Sequence, residues 1–427
     1  MTTAPTHSTA LAASVAARRE ESLEFLSDVV KLETVSGFED RAADAFTSWF
    51  EQRGWPVERQ VLADTAVGAT ERGLAEPRMS ERANFTGWFG PRTGKPVVTI
   101  NAHYDVVPVM YEEDWSDAPF GGVRRDGAVF GRGSVDNKGG CVSAMYALQA
   151  LADSGIELAF DLAVELIAGE ETTGLGTIAS LEALPERLAT IVMEPTDGAV
   201  VPANSGVLFF TIEVAGRDVH TSQPWRGEDA LAKLVSLYDA VNALGARRAE
   251  SHRHPLMDHV PTSVPLVIGV LNGGGWRAAV PAHASMSGRI GVLPGESLQE
   301  VRDALTATVS EAAAGDPWLV EHPPTLRWDN DGSIGWELPL ENALVTSFTA
   351  AQRALGEEPL VRGLTAGCDA GVLRGAGIPA VVFGPGDLSR AHSVDEYVLD
   401  DEVERATAVL ATTLVELSAA VERGELS

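Results

Sequence analysis

Cysteine is nearly missing from this chain: Cys141 and Cys368 are the two that occur in 427 residues, and neither sits in a Cys-x-x-Cys pair. That argues against a disulfide framework and against a thiolate zinc site, and it fits a reducing cytoplasm. Positive charge is scarce as well. Lys and Arg number 32 against 61 Asp and Glu, for a formal net charge of −29. A surface of that sign repels phosphate backbones and anionic lipid, so neither nucleic acid nor membrane is expected as a partner. No apolar run approaches the roughly 18 residues of a membrane span. The opening stretch MTTAPTHSTALAASVAARREESLEFL lacks the basic-then-apolar order of a secretory signal, so a soluble cytoplasmic protein is expected. Internal repeats and low-complexity tracts are also absent.

What remains is an ordinary globular composition, 45% hydrophobic and 22% charged, in a chain too long for one typical core. Ala, Leu and Val at helical spacing predict a helix from about Thr9 to Leu32, and a second amphipathic helix runs to about Arg53. The apolar runs PVVTINAHYDVVP, FDLAVELIAGEE, ATIVMEP and GIPAVVFGPG then alternate with helical stretches such as CVSAMYALQALADSG. Alternation of this kind predicts an α/β fold built on a mixed sheet with helices on both faces. Near Gly206 the texture changes to strands with one wet face, a long helix from about Asp229, and the helix SLQEVRDALTATVSEAAAG. An α+β unit over residues 206–327 is therefore expected, inserted into a larger domain made of residues 1–205 and 328–427.

The polar residues of interest share one placement, just past the end of an apolar strand. His103 and Asp105 follow VVTINA, Glu170 and Glu171 follow LAVELIA, Glu194 follows TIVM, and His392 comes shortly after AVVFGPG. Asp136 lies in the Gly-rich loop GRGSVDNKGG between them. In open α/β sheets that carboxyl edge is where ligands bind. Taken singly, each has a bland reading: a buried histidine with its carboxylate, a turn aspartate, a strand terminator, or acidic residues at a helix start. Taken together, they concentrate more negative charge than can stay ionised without a cation. Lys138 and Arg132 alone do not suffice, whereas divalent metal does. Nitrogen and oxygen donors suit zinc or a similar first-row ion, and two ions sharing a carboxylate account for five ligands better than one ion does.

In order and wording, NAHYDVVP, GRGSVDNKGG, AGEETTG, MEPT and GPGDLSRAHSVDEYV resemble the five signature segments of one dizinc amidohydrolase family. Its members are the acetylornithine deacetylases, succinyl-diaminopimelate desuccinylases and glutamate carboxypeptidases. The resemblance implies a zinc-exopeptidase-like catalytic domain, with the inserted unit acting as lid and dimerisation domain of a homodimer. It implies that His103 and Glu194 hold one metal, Glu171 and His392 the other, and that Asp136 bridges them. Asp105 would orient His103, and Glu170 would be the general base, facing water while its neighbour Glu171 points to a metal. In the segment GRDVHTSQPWRGEDA, His220 would reach the oxyanion of a partner subunit's substrate; in MSGRIGVLPGES, Arg289 would clamp a substrate carboxylate.

Two departures from the family pattern stand out. Ala278-Ala279-Val280-Pro281 replaces a common Asn-Val-Val-Pro, and Cys368-Asp369-Ala370-Gly371 lacks the arginine of the desuccinylase branch. The second weakens the case for a doubly acidic substrate. The expected activity is removal of a small acyl group from an amino acid or similar amine, with zinc, cobalt or manganese as the metal. Dipeptidase or carboxypeptidase action is the alternative within the family. Rivals from other classes are a dinucleotide-binding oxidoreductase, suggested by Gly174-Leu175-Gly176-Thr177-Ile178-Ala179, and a metal-free binding protein. The histidines of SHRHPLMDH, His252, His254 and His259, read as a polar surface loop.

Overall fold

The structure is a computed structural model that describes residues 7–329 and 331–426. In chain order the principal strands are β1 (Val57–Val61), β2 (Ala83–Trp88), β3 (Val97–His103), β4 (Asp161–Ile167), β5 (Ala189–Met193), β6 (Gly206–Ala215), β7 (Leu266–Gly273), β8 (His283–Val292), β9 (Thr325–Trp328) and β10 (Ala380–Phe383). The principal helices are α1 (His7–Ala17), α2 (Arg19–Val30), α3 (Gly139–Asp153), α4 (Leu175–Ala183), α5 (Ala230–Ser251), α6 (Leu298–Ala314), α7 (Ala343–Ala354) and α8 (Asp400–Glu422).

The chain divides into two compact units. The larger comprises Met1–Pro202, Leu338–Val361 and Cys368–Ser427, and contains a six-stranded sheet in the order β1-β2-β4-β3-β5-β10. Strands β4, β3, β5 and β10 run parallel to one another, while β2 is antiparallel to both β1 and β4, so the sheet is mixed. The central strands are buried nearly end to end, as parallel strands covered on both faces must be. Helix α3 is buried along almost its whole length, and α8 presents an equally apolar side to the core. The predicted single helix from Thr9 to Leu32 is interrupted at Arg18, whose guanidinium grips Asp153 at 3.0 Å and Glu21 at 2.8 Å.

The smaller unit comprises Ala203–Glu337 with Arg362–Gly367. Its limits run wider than residues 206–327 because Trp336–Glu337 pairs with Ala203–Asn204. Its sheet, ordered β7-β8-β6-β9, is antiparallel throughout. Leu208, Phe210, Ile212 and Val214 alternate inward along β6 and pack with Leu234, Leu237 and Val241 of α5 and Val301, Leu305 and Val309 of α6. Both helices start on side-chain caps: Asp229 accepts from the amides of Leu231 and Ala232, and Ser297 with Glu300 forms a capping box. Strand β7 is an edge, and Val267, Val270 and Leu271 on it are about half exposed, at 52%, 49% and 51%.

Candidate metal centre

The sheet register brings the strand ends together. His103 at the end of β3 lies opposite Ile167 at the end of β4, and Met193 at the end of β5 lies opposite Phe383 at the end of β10. Residues that follow these ends therefore gather at one edge of the larger unit. Asp136 joins them from the loop that leads into α3, and the Asp136–Asn137 peptide is cis. His392 occupies the left-handed region, with φ of +57°. Glu170 and Glu171 lie in a turn between β4 and α4.

The five candidate ligands meet there. His103 Nε2 stands 3.0 Å from Asp136 Oδ1 and 3.8 Å from Glu194 Oε1. His392 Nε2 stands 3.4 Å from Asp136 Oδ2 and 3.1 Å from Glu171 Oε2. Each oxygen of Asp136 thus faces a different histidine, and each histidine has its own glutamate. Among the described residues, the side chains whose ligand atoms all lie within 4.8 Å of one another are His103, Asp136 and Glu171.

Burial opposes charge on His103, yet Asp136 and Glu194 outweigh it and hold the imidazole well above its ordinary range. Contacts with Asp136 and Glu171 push His392 up to about 10. For Asp136, burial acts upward but the two imidazoles prevail and hold it below the usual carboxylate range. Burial, reinforced by neighbouring carboxylates, pushes Glu170 well up, raises Glu171 and lifts Glu194 to about 7. Asp369, also buried, is lifted to about 7 for the same first reason. Two imidazoles, buried His103 and exposed His392, face five buried or partly buried carboxylates. A cation among these atoms relieves that excess, and the mixed imidazole and carboxylate donor set suits a first-row divalent ion.

Residues behind the site hold these groups in place. The fully buried carboxylate of Asp105 accepts from the amides of Glu170 (3.1 Å) and Glu171 (3.3 Å) and from the hydroxyl of Ser36 (2.9 Å). It is the main-chain carbonyl of Asp105, at 3.1 Å, that meets His103 Nδ1, while the carboxylate stands 3.7 Å away. Asp105 therefore orients the histidine through its backbone and the glutamate turn through its side chain. Asp369 accepts from Thr177 Oγ1 at 2.6 Å, and Asn101 donates to the same hydroxyl at 2.8 Å. Neither Asp369 nor Glu396, whose buried carboxylate bonds the loop of Asp136, was singled out as a site residue from sequence. For Glu396 the available signal is its place in the segment GPGDLSRAHSVDEYV, four residues after His392.

In the smaller unit His220 is exposed, and its Nδ1 accepts from the amide of Ser222 at 3.1 Å. In the neutral ring that leaves Nε2 as the proton-bearing nitrogen. Arg289 is half-buried: Nη2 donates to the carbonyl of Thr365 at 2.9 Å, Nε has no partner, and burial lowers its pKa. No carboxylate pairs with it among the described residues. His252 and His254 are held by different acids, Glu296 at 3.5 Å and Glu337 at 3.0 Å. The Gly174-Leu175-Gly176 pattern serves packing: a Cβ on Gly176 would come within 2.1 Å of the carbonyl oxygen of Ala168.

Comparison with known proteins places this geometry. Over 330 residues, 73% of this chain and 77% of the other, the sequence is 26% identical to the N-formyl-4-amino-5-aminomethyl-2-methylpyrimidine deformylase of Bacillus subtilis. It is 25% identical over 406 residues, 90% of this chain and 94% of the other, to a probable succinyl-diaminopimelate desuccinylase of Staphylococcus epidermidis. The fold resembles that of the di-peptidase Dug1p of Saccharomyces cerevisiae, with a TM-score of 0.78 at 16% identity, covering 97% of this chain and 99% of that one. The sequence profile of peptidase family M20/M25/M40 matches residues 99–416, a span that holds all five candidate ligands. The chain belongs to peptidase family M20/M25/M40 and is a metal-dependent hydrolase of amide bonds.

Proposed function

We propose that this enzyme is an N-deacylase that removes a small acyl group, of the formyl or acetyl kind, from an amino acid or related small amine. The observation that carries the reading is the sharing of Asp136 between two histidine–glutamate pairs, with Glu170 in the turn beside them. His103 and Glu194 would hold one divalent ion, Glu171 and His392 a second, and Asp136 both; zinc is the ion proposed, with cobalt and manganese compatible with the same donors. Bound there, the ions would supply Lewis-acid polarisation of the carbonyl and lower the pKa of water.

The residues of the chain do the rest. Glu170 takes a proton from water as its oxygen bonds to the carbonyl carbon. It then delivers that proton to the amide nitrogen as the C–N bond breaks, leaving a carboxylic acid and a free amine, and the acid's proton passes to the amine to give carboxylate and ammonium. Asp105 fixes the peptide of Glu170, so the base keeps one orientation through both transfers. No serine or cysteine nucleophile is required. His220, with a donor nitrogen turned outward, is assigned to the oxyanion of a substrate in a partner subunit. Arg289, half-buried without an acid beside it among the described residues, is assigned to a carboxylate on the substrate. The exposed apolar edge of β7 supports a homodimer formed through the smaller unit.

The deformylase and desuccinylase relatives support deacylation, whereas the fold alone is shared with a di-peptidase. The test is a panel of N-formyl, N-acetyl, N-succinyl and dipeptide substrates offered to zinc-loaded protein. The N-formyl or N-acetyl compounds should show the highest kcat/KM. Preference for dipeptides would replace deacylation with peptidase action at the same centre.

A further inference from the structure

The loop that carries Asp136 belongs to no strand or long helix, so something else must fix it. Glu396 does. Its carboxylate is fully buried, and Oε1 accepts from three amides of that loop, those of Gly133 (2.9 Å), Val135 (3.2 Å) and Asp136 itself (3.2 Å). Oε2 accepts from Arg132 Nη1 at 2.5 Å, and the main-chain carbonyl of Glu396 accepts from the amide of Gly131 at 2.8 Å. Gly133, at φ of +83°, turns the successive amides to one side, and a Cβ there would come within 2.4 Å of Val106 Cγ1. The same segment carries His392 four residues earlier. It is pinned again where Asp395 accepts from the amide (2.8 Å) and hydroxyl (2.7 Å) of Ser116.

We propose that Glu396 is a positioning residue of the metal centre, locking the Asp136 loop to the His392 segment so that the two sides of one ion site keep a fixed spacing. The inference rests on the ligand assignment proposed above. Glu396 contacts neither substrate nor ion; it acts through Asp136 and through the path of its own backbone to His392. Its largest effect falls on the ion held by Glu171 and His392, because both the shared carboxylate and the histidine of that site depend on it. Partners that hold metal ligands in this way commonly affect affinity by about 10- to 100-fold.

The experiment is a Zn2+ titration of metal-free protein against a competing chromophoric chelator, with the denaturation midpoint of the same metal-free samples measured alongside. Wild-type protein should take up two equivalents. Glu396→Asp, one methylene too short to reach the three amides, should bind the first ion within about threefold of wild type and the second about 10- to 100-fold more weakly. The double variant Glu396→Gln with Arg132→Met keeps an acceptor for the amides and removes the ion pair without stranding a charge, and it should hold both ions within about threefold of wild type. Wild-type affinity for both ions in Glu396→Asp, with a fall in the midpoint alone, would mark a merely structural residue and overturn the inference. If Glu396→Asp does not fold, Glu396→Ala with Arg132→Met, which removes the acceptor of the three amides without stranding a charge, takes its place, and wild-type affinity for both ions in that variant overturns the inference equally. Fewer than two equivalents in the wild-type protein would overturn the ligand assignment, and this inference with it.

Discussion

At the scale of single residues, the turn 169–171 concentrates most of the chemistry. Glu170 and Glu171 are neighbours in sequence to which we assign separate tasks, and both peptides hang from the carboxylate of Asp105. Glu170→Gln should retain wild-type metal content and lose about 10²- to 10⁴-fold in kcat, read by elemental analysis and steady-state rates on the same preparation. Turnover surviving at wild-type level would remove Glu170 as the base. The residue before them has no side chain for a reason. Gly169 lies at φ of +80°, and a Cβ there would come within 2.4 Å of Nη2 of Arg82, which is buried against Glu39 (2.7 Å) and Glu76 (2.5 Å). Gly169→Ala should cost about 1–3 kcal/mol of stability by denaturant unfolding and should lower kcat as the turn shifts. Of the proposed metal ligands, His103, Glu171, Glu194 and His392 could be singled out because each comes after an apolar run, a pattern that local sequence carries, whereas Asp136 lies in a Gly-rich loop. Asp369 and Glu396 were not, because one acidic residue in a polar loop has no periodicity to betray it and its neighbours arrive only with the tertiary fold.

Among the elements, β3, β4, β5 and β10 were readable as continuous apolar runs, and α8 from about Asp400 as a periodic one. The break at Arg18 was not readable, since the apolar spacing continues across it while the interruption lies where Arg18 meets Asp153 far along the chain. The turn at Glu170 was likewise hidden, because Asp105 imposes it from the segment that follows β3. Entry into β4 shows how an element boundary can be fixed by charge. Asp161 accepts from the amides of Thr93 (2.9 Å) and Gly94 (2.9 Å) and from the hydroxyl of Thr93 (2.7 Å). Burial acts upward on its pKa, but these donors prevail and lower it. A depressed folded-state pKa means that the contribution of Asp161 is present above its unfolded value of about 3.9 and is lost as pH falls through the folded value. Asp161→Asn should therefore be less stable than wild type near neutrality, and the gap between them should close as pH drops below about 4. Urea midpoints of the two proteins across that range give the answer, and a gap that stays constant would refute it.

For the whole molecule, the decisive feature is a second unit inserted within the first, and the change from parallel-type runs to alternating strands near Gly206 disclosed it. Its closing boundary was harder to see, because Trp336–Glu337 is a two-residue strand recognisable only by its partner Ala203–Asn204. The β7 edge leads to a prediction about assembly. Val270→Lys with Leu271→Lys should convert a dimer to a monomer on size-exclusion chromatography and abolish turnover while leaving metal content intact. A mixture of His220→Ala and Glu170→Gln proteins, each inactive alone, should regain measurable activity after subunit exchange, because one mixed site per dimer then has both groups. Failure to regain any activity in a demonstrated heterodimer would remove the trans role of His220.

The insertion also orders events in time. His392 is encoded beyond the smaller unit, whereas His103, Asp136, Glu171 and Glu194 precede it. During translation a growing polypeptide carries four of the five donors long before the fifth leaves the ribosome. Under the proposed assignment, no product that stops short of His392 can close the second ion site, so amide-cleaving capacity would wait for the segment encoded beyond the smaller unit.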